Sequence, residues 1–268
     1  MILKFIRGLI TGGPYYLRLN RDRVSVRNVS TGDVVEVTFS DGSQGKYDLV
    51  IGADGIYSQT RQAIFPEAPG PEFTGQSVWR YNFDRPKDME GLHVYNGRVG
   101  VGLVPMSQEQ IYMYVTTPEP ENPHFEKSTL VDEMKARLNM ACPTLHHFAD
   151  EITDNQGVVY RPLEWLMLEG DWHSGRIGLL GDAVHSTTPH LGQGAGLAIE
   201  DALVLADELT KASTPEEAFK NYRDRRFERC DYIVKSSLGI CLGQLGKGPL
   251  IDNSQATADS IAVVAKPI

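Results

Sequence analysis

The chain has 268 residues, 41% of them hydrophobic, and a formal net charge of −9. That length suffices for one large domain or two modest ones with a real core. The acidic balance argues against a nucleic-acid partner, because such binders carry a basic face. Cys142, Cys230 and Cys241 form no Cys-x-x-Cys pair, and their odd number gives no disulfide framework, so free thiols in a reducing cytosol are expected. No apolar run approaches the roughly 18 residues that span a bilayer, and residues 1–10 lack the long apolar region of a signal peptide. The expectation is a cytoplasmic protein with no membrane span.

Residues 24–29 and 34–39 are rich in β-branched side chains, with the turn signal Thr31-Gly32-Asp33 between them, and read as a hairpin. Residues 47–53 form an almost continuous apolar run, as in a strand buried on both faces of a parallel sheet. It ends at Asp54-Gly55, and residues 58–64 predict a short helix. Pro66, Pro69, Gly70 and Pro71 mark a connection. After it, residues 76–83, 92–95, 99–104 and 111–116 read as short antiparallel strands. Residues 129–140 predict a helix with Leu130, Met134 and Leu138 on one stripe. Residues 158–161 predict a further strand that stops before Pro162. The last third returns to α/β character. A strand at 177–180 feeds a helix at about 195–210, whose apolar stripe is Ile199, Ala202, Leu203, Ala206 and Leu209. Pro215 opens another helix that reaches toward Cys241. Beyond Gly246 the periodicity is weak.

Two stretches carry chemistry. At 181–196, an apolar strand ends in Gly181-Asp182, and a loop with Pro189, Gly192, Gly194 and Gly196 leads into a helix. A carboxylate thus sits at a strand end beside a Cβ-poor helix N-terminus, whose free N–H groups and positive dipole end suit an electron-rich ligand edge. The second stretch, 48–61, reads Asp-Leu-Val-Ile-Gly-Ala-Asp-Gly-Ile-Tyr-Ser-Gln-Thr-Arg.

Together these stretches resemble the Gly-Asp and Asp-Gly motifs of the FAD-dependent aromatic hydroxylases, flavoprotein monooxygenases with the p-hydroxybenzoate hydroxylase fold. The resemblance implies a mixed α/β (α+β) fold: an incomplete Rossmann-like FAD-binding domain (1–70 and 171–268) with an inserted antiparallel-sheet substrate domain (71–170). It implies FAD as cofactor, NADH or NADPH as co-substrate, and O2-dependent hydroxylation of a small aromatic or heteroaromatic substrate. By the same resemblance Asp182 accepts from a flavin ribityl hydroxyl. The backbone of Pro189, Leu191, Gly192, Gln193, Gly194, Ala195 and Gly196 faces the flavin ring. Asp54, Gly55 and Arg61 lie near the pyrophosphate. Asp54 could also cap the short helix after it, and Arg61 could pair with Asp54 or with phosphate.

Trp79 and Arg80 on the first strand of the middle block, and Tyr160 on its last, offer an aromatic face with a cation for an aromatic acid or phenol; the same positions also suit core aromatics. His185 reads as motif scaffold, and His190 as either scaffold or substrate contact. No side chain stands out as acid or base. The seven His residues show no metal-ligand spacing with Cys or carboxylates.

A full member of the family opens with a strand, Gly-x-Gly-x-x-Gly and a helix. The chain carries no such pattern, and three readings stand: a fragment, a short form that binds FAD weakly, or a subunit needing a partner. Exposed sheet edges and apolar surface are expected from the loss, with a homodimer as one outcome. A non-catalytic remnant and a flavin oxidoreductase without oxygen insertion are the alternative functions.

Overall fold

The computed structural model describes residues 24–25, 34–39 and 42–268. In chain order the strands and helices are β1 (Val24–Ser25), β2 (Val35–Phe39), β3 (Gln44–Tyr47), β4 (Val50–Gly52) and α1 (Gln59–Ile64). Then follow β5 (Glu72–Asp84), β6 (His93–Tyr95), β7 (Gly100–Pro105), β8 (Gln110–Pro118), α2 (Leu130–Leu138) and α3 (Phe148–Glu151). The chain continues with β9 (Val159–Trp165), β10 (His173–Ser174), β11 (Ile177–Leu179), α4 (Gly194–Lys211), α5 (Pro215–Gln244) and α6 (Asn253–Val264).

These elements form two compact units. The first holds the described residues up to Glu72, together with Trp165–Leu238 and Ala256–Ile268; the second holds Phe73–Glu164 and Gly239–Gln255. The boundaries that the resemblance implies are 70/71 and 170/171, and it gives no separate place to 239–255.

In the first unit β4 and β11 pair in parallel, Ile51 opposite Gly178, with β10 antiparallel on the far side of β11. Val50, Ile177 and Leu179 are fully buried, as expected of a parallel pair covered on both faces. A second small sheet runs β1-β2-β3. The expected turn at 31–33 lies outside the described residues. Tyr47 ends β3 rather than starting the parallel strand; Asp48-Leu49 breaks the run that the apolar pattern had joined.

The buried face of α4 differs from the sequence expectation. Leu197, Asp201, Val204, Leu205 and Glu208 are buried, while Ile199 and Leu203 are exposed. The acidic members of the buried face meet arginines of α5, so charge pairing rather than apolarity sets the rotation of the helix. Residues beyond Gly246, where periodicity was weak, form α6.

The second unit is a five-stranded antiparallel sheet, β6-β7-β8-β5-β9. Alternate residues Trp79, Phe83, Val101, Leu103, Ile111, Met113 and Val115 pack on Leu130, Met134 and Leu138 of α2 and on Phe148 of α3. The edge strand β9 runs through Pro162 instead of stopping before it. A proline is tolerated at a sheet edge, where one row of N–H groups has no strand to bond.

Candidate functional site

Both motifs lie in the first unit, at the carboxyl ends of the parallel pair. After β4 the chain turns at Asp54-Gly55, and Gly55 holds a φ of +81°, which favours a residue without Cβ. Ser58 is the N-cap of α1, its Oγ accepting from Arg61 N–H at 2.9 Å. Asp54 accepts from Thr60 N–H at 3.0 Å, from Thr60 Oγ1 at 3.0 Å and from Ser58 Oγ at 2.5 Å. Two side chains thus satisfy the first-turn amides of α1.

Arg61 is buried. Its Nη1 donates to the Ala183 carbonyl at 2.8 Å and its Nη2 to the Ile56 carbonyl at 2.9 Å. Burial lowers its pKa, and Asp54 opposes that effect. The guanidinium is therefore committed to two carbonyls, not to an Asp54 fork or an open phosphate site, and Asp54 is spent on α1. The first link between the motifs is this arginine, donating from one strand end to the loop of the other.

After β11 the chain enters a tight turn, Gly181–Ala183. Gly181 has a φ of +61°, and a Cβ there would lie 3.1 Å from the Ala198 Cβ on α4. Asp182 is exposed, and among the described residues no group hydrogen-bonds its carboxylate. Partial desolvation of the carboxyl pushes its pKa above the ordinary carboxylate value, with His185 pulling the other way.

The next turn, Pro189–Leu191, ends at Gly192 with a φ of +66°. Leu191 is buried and Pro189 exposed. His190 Nδ1 lies 3.1 Å from Thr188 Oγ1, which itself sits 2.8 Å from Ser237 Oγ. This pins the turn to α5. Gln193 precedes α4 without a side-chain cap, and no acidic residue stands in the first helical turn. A Cβ on Gly192 would meet nothing within 4 Å, and one on Gly196 only the Gln193 Oε1 at 3.8 Å. One on Gly194 would meet the Thr187 methyl at 3.2 Å. The amides of Gly194, Ala195 and Gly196 thus begin a helix of 18 residues with a Cβ-poor, uncapped first turn.

Beneath this surface lies a charged cluster that sequence spacing did not show. Asp201 of α4 accepts on Oδ2 from Gly181 N–H at 2.9 Å and from His185 Nε2 at 2.6 Å, and on Oδ1 from Arg226 Nε at 2.9 Å. Arg226 also donates to the Leu197 carbonyl and pairs with Glu200 at 2.6 Å. Burial alone would lower the His185 pKa, but Asp201 and Cys230 raise it to about 10. Asp201 itself is held below its ordinary value by His185 and Arg226, against its burial. His185, Asp201 and Cys230 bring their donor atoms within 4.8 Å of one another. Both Asp201 oxygens already accept, and the Arg226 guanidinium reaches both Asp201 and Cys230, so this is a hydrogen-bonded ion network rather than a cation site. Its members come from a turn and two helices, out of reach of any spacing rule. The partial signal was an acidic residue on an apolar helix and an arginine-rich α5.

In the second unit Trp79 is fully buried. Its ring packs on Phe125 and Tyr160, and its Nε1 donates to Thr117 Oγ1 at 3.1 Å. The Arg137 guanidinium lies over the Trp79 and Phe125 rings and binds Glu119. Trp79 is a core residue, not a wall of an open site. Tyr160 is half-buried, with its hydroxyl 3.1 Å from Ser77 Oγ. Arg80, next along β5, is exposed on the opposite face. On that face it stands opposite Tyr114 in the register of β8, and the Tyr114 ring covers Gly102, where a Cβ would fall about 2.1 Å from the ring.

Residues 17–237 match the family described as FAD binding domain. A 6-hydroxynicotinate 3-monooxygenase of Bordetella bronchiseptica is 34% identical over 219 residues, 76% of this chain and 56% of that protein. A 2-heptyl-3-hydroxy-4(1H)-quinolone synthase of Pseudomonas aeruginosa is 32% identical over 244 residues, 85% of this chain and 60% of that protein. The crystal structure of Klebsiella pneumoniae HpxO with FAD and uric acid superimposes with a TM-score of 0.77 at 26% identity, covering 91% of this chain and 62% of that one. The chain spans about 60% of the length of the relatives it matches. No helix among the described residues is long and apolar enough to cross a membrane.

Proposed function

The chain belongs to the FAD binding domain family, and from that premise we propose that it serves an FAD-dependent monooxygenase acting on a small aromatic or heteroaromatic substrate with NADH or NADPH and O2. One observation carries the reading. The carboxylate of Asp182, in the turn after β11, has no hydrogen-bond partner among the described residues and lies in the same unit as the uncapped, Cβ-poor first turn of α4.

These residues fit the flavin and ribityl half of FAD. Asp182 would accept from a ribityl hydroxyl. The backbone of Pro189, Leu191, Gly192 and Gln193 would border the ring, and the amides of Gly194, Ala195 and Gly196 would face its electron-rich edge. Bound there, FAD supplies hydride acceptance and oxygen activation. The chain's own residues hold and orient. The helix end favours negative charge beside it, and Asp182 fixes the polar chain. Arg61 and Asp54 support the distal region by holding the two loops in shape, not by contacting phosphate. Arg80, an exposed cation beside Tyr114, is the residue best suited to meet a substrate carboxylate or phenolate.

By name the relatives above are a 6-hydroxynicotinate 3-monooxygenase and a 2-heptyl-3-hydroxy-4(1H)-quinolone synthase, and HpxO was solved with uric acid; planar nitrogen heterocycles are therefore the first substrates to screen. A second reading is a chain that works in association with another. Exposed Ile199 and Leu203 on α4 would serve such association, with a partner or with a second copy. A cytoplasmic location completes the proposal.

The test is a flavin titration of the purified chain followed by visible absorption, then NADH and NADPH oxidation across phenols and heteroaromatic acids. Bound flavin with substrate-stimulated oxidation supports the enzyme. A chain that stays colourless with added FAD sinks it.

A further inference from the structure

We infer that Asp201 and His185 are positioning residues that lock the Gly181–His185 turn onto α4 and so set where Asp182 presents its carboxylate. This rests on the flavin reading of Asp182 for its functional consequence, though not for its geometry.

A single carboxylate oxygen, Asp201 Oδ2, accepts from the first residue of that turn, Gly181 N–H, and from its last, His185 Nε2. The loop residue before the helix and the helix itself therefore share one anchor, two turns into α4. Backbone bonds complete the lock. The amides of Val184 and His185 donate to the Gly181 carbonyl at 2.9 and 3.0 Å, and Leu168 N–H donates to the Val184 carbonyl at 2.8 Å. Arg61 takes the Ala183 carbonyl. Every residue flanking Asp182 is thus tied down, while the Asp182 side chain alone projects outward. Such a pattern holds an exposed ligand group within the narrow geometric tolerance that binding needs.

Asp201 is 0% exposed and Arg226 0%. Burying this pair costs more than an apolar core would, and a stability role by itself needs no hydrogen bond to the motif amide. His185 is faced by Asp201 from α4, by Cys230 from α5, by the Trp172 ring and by Asp182 of its own turn, while Arg226 and Tyr222 of α5 reach Asp201 and Cys230. Asp201, shared between the imidazole and the guanidinium, is the group that joins these elements to the turn.

Three variants separate positioning from stability. His185→Gln keeps an N–H donor for Asp201, while His185→Leu fills the volume without one. The double variant Asp201→Asn with Arg226→Met removes the buried carboxylate and guanidinium together, which avoids an unpaired guanidinium. Each is read by thermal melting, by flavin titration with the visible spectrum of bound flavin, and by amide hydrogen exchange of 181–185 in the flavin-free chain.

Positioning predicts cooperative melting for all of them. His185→Gln then binds FAD within about threefold of the parent, whereas His185→Leu and the double variant lose about tenfold or more, the scale of one lost hydrogen bond to a charged group. In those two, the turn amides exchange about tenfold faster while β4 amides stay protected. Unchanged exchange and unchanged flavin affinity in the double variant overturn the inference. Asp182→Asn serves as the control. If it binds flavin like the parent, the flavin reading fails, and the exchange data still decide whether Asp201 holds the turn.

Discussion

Arg61 donates to the carbonyl oxygen of Ala183 across 122 positions of sequence, at 2.8 Å and with its side chain buried. One guanidinium thereby joins the loop after β4 to the loop after β11. Arg61→Met should keep the volume and lose both carbonyl bonds. Two acceptors left unpaired, one buried and one half-buried, cost about 2–4 kcal/mol, and the denaturant midpoint should fall accordingly at unchanged m-value. A midpoint within about 0.5 kcal/mol of the parent would mean that water replaces the arginine.

Asp182→Asn should leave stability unchanged, because the side chain is exposed and bonds nothing among the described residues. Flavin affinity should fall about tenfold, the equivalent of roughly 1.4 kcal/mol for a charge-assisted hydrogen bond weakened to a neutral one. Fluorescence titration with FAD checks it.

Stability should depend on pH through His185. Its folded pKa is raised to about 10 from 6.5, by Asp201 and Cys230 against burial. The native state therefore holds a proton that the unfolded chain releases above pH 6.5. The stabilisation is complete below that point and is lost progressively as pH rises toward 10. Melting temperature between pH 7 and 10 should fall in the parent and fall less steeply in His185→Gln. Parallel curves would remove His185 as the titrating group.

Gly178→Ala should be destabilising although Gly178 lies in an ordinary strand conformation. Its Cβ would fall 2.2 Å from the Phe219 ring of α5, an overpacking cost of about 1–3 kcal/mol. Adding Phe219→Leu should recover part of the loss, since the clash is with the ring edge. Differential scanning calorimetry of the single and double variants decides.

Arg80→Gln should raise KM for aromatic acids about tenfold with little change in flavin affinity, because Arg80 is exposed in the second unit and Asp182 lies in the first. Equal KM values for the charged and uncharged substrates in parent and variant would exclude it from recognition.

Much of this protein was legible in its residues because the signals were local. Apolar runs gave β4 and β11, glycine at positive φ gave the two strand-end turns, and Leu130, Met134 and Leu138 gave the face of α2. What was misread needed partners distant in sequence. Ile199 and Leu203 looked like the core stripe of α4, yet Asp201 and Glu208 are buried instead, because α5 supplies arginines to meet them. Trp79 suited a site wall and a core position alike, and only the packing of α2 and Phe125 around it makes it core. Periodicity measures hydrophobicity along one segment, whereas burial of a charge depends on which opposite charge the fold brings beside it. The strand-end carboxylate and the Cβ-poor helix start stand in the residue order itself; that one buried aspartate ties turn to helix follows only from folding, because its partners lie 16, 20 and 25 positions away.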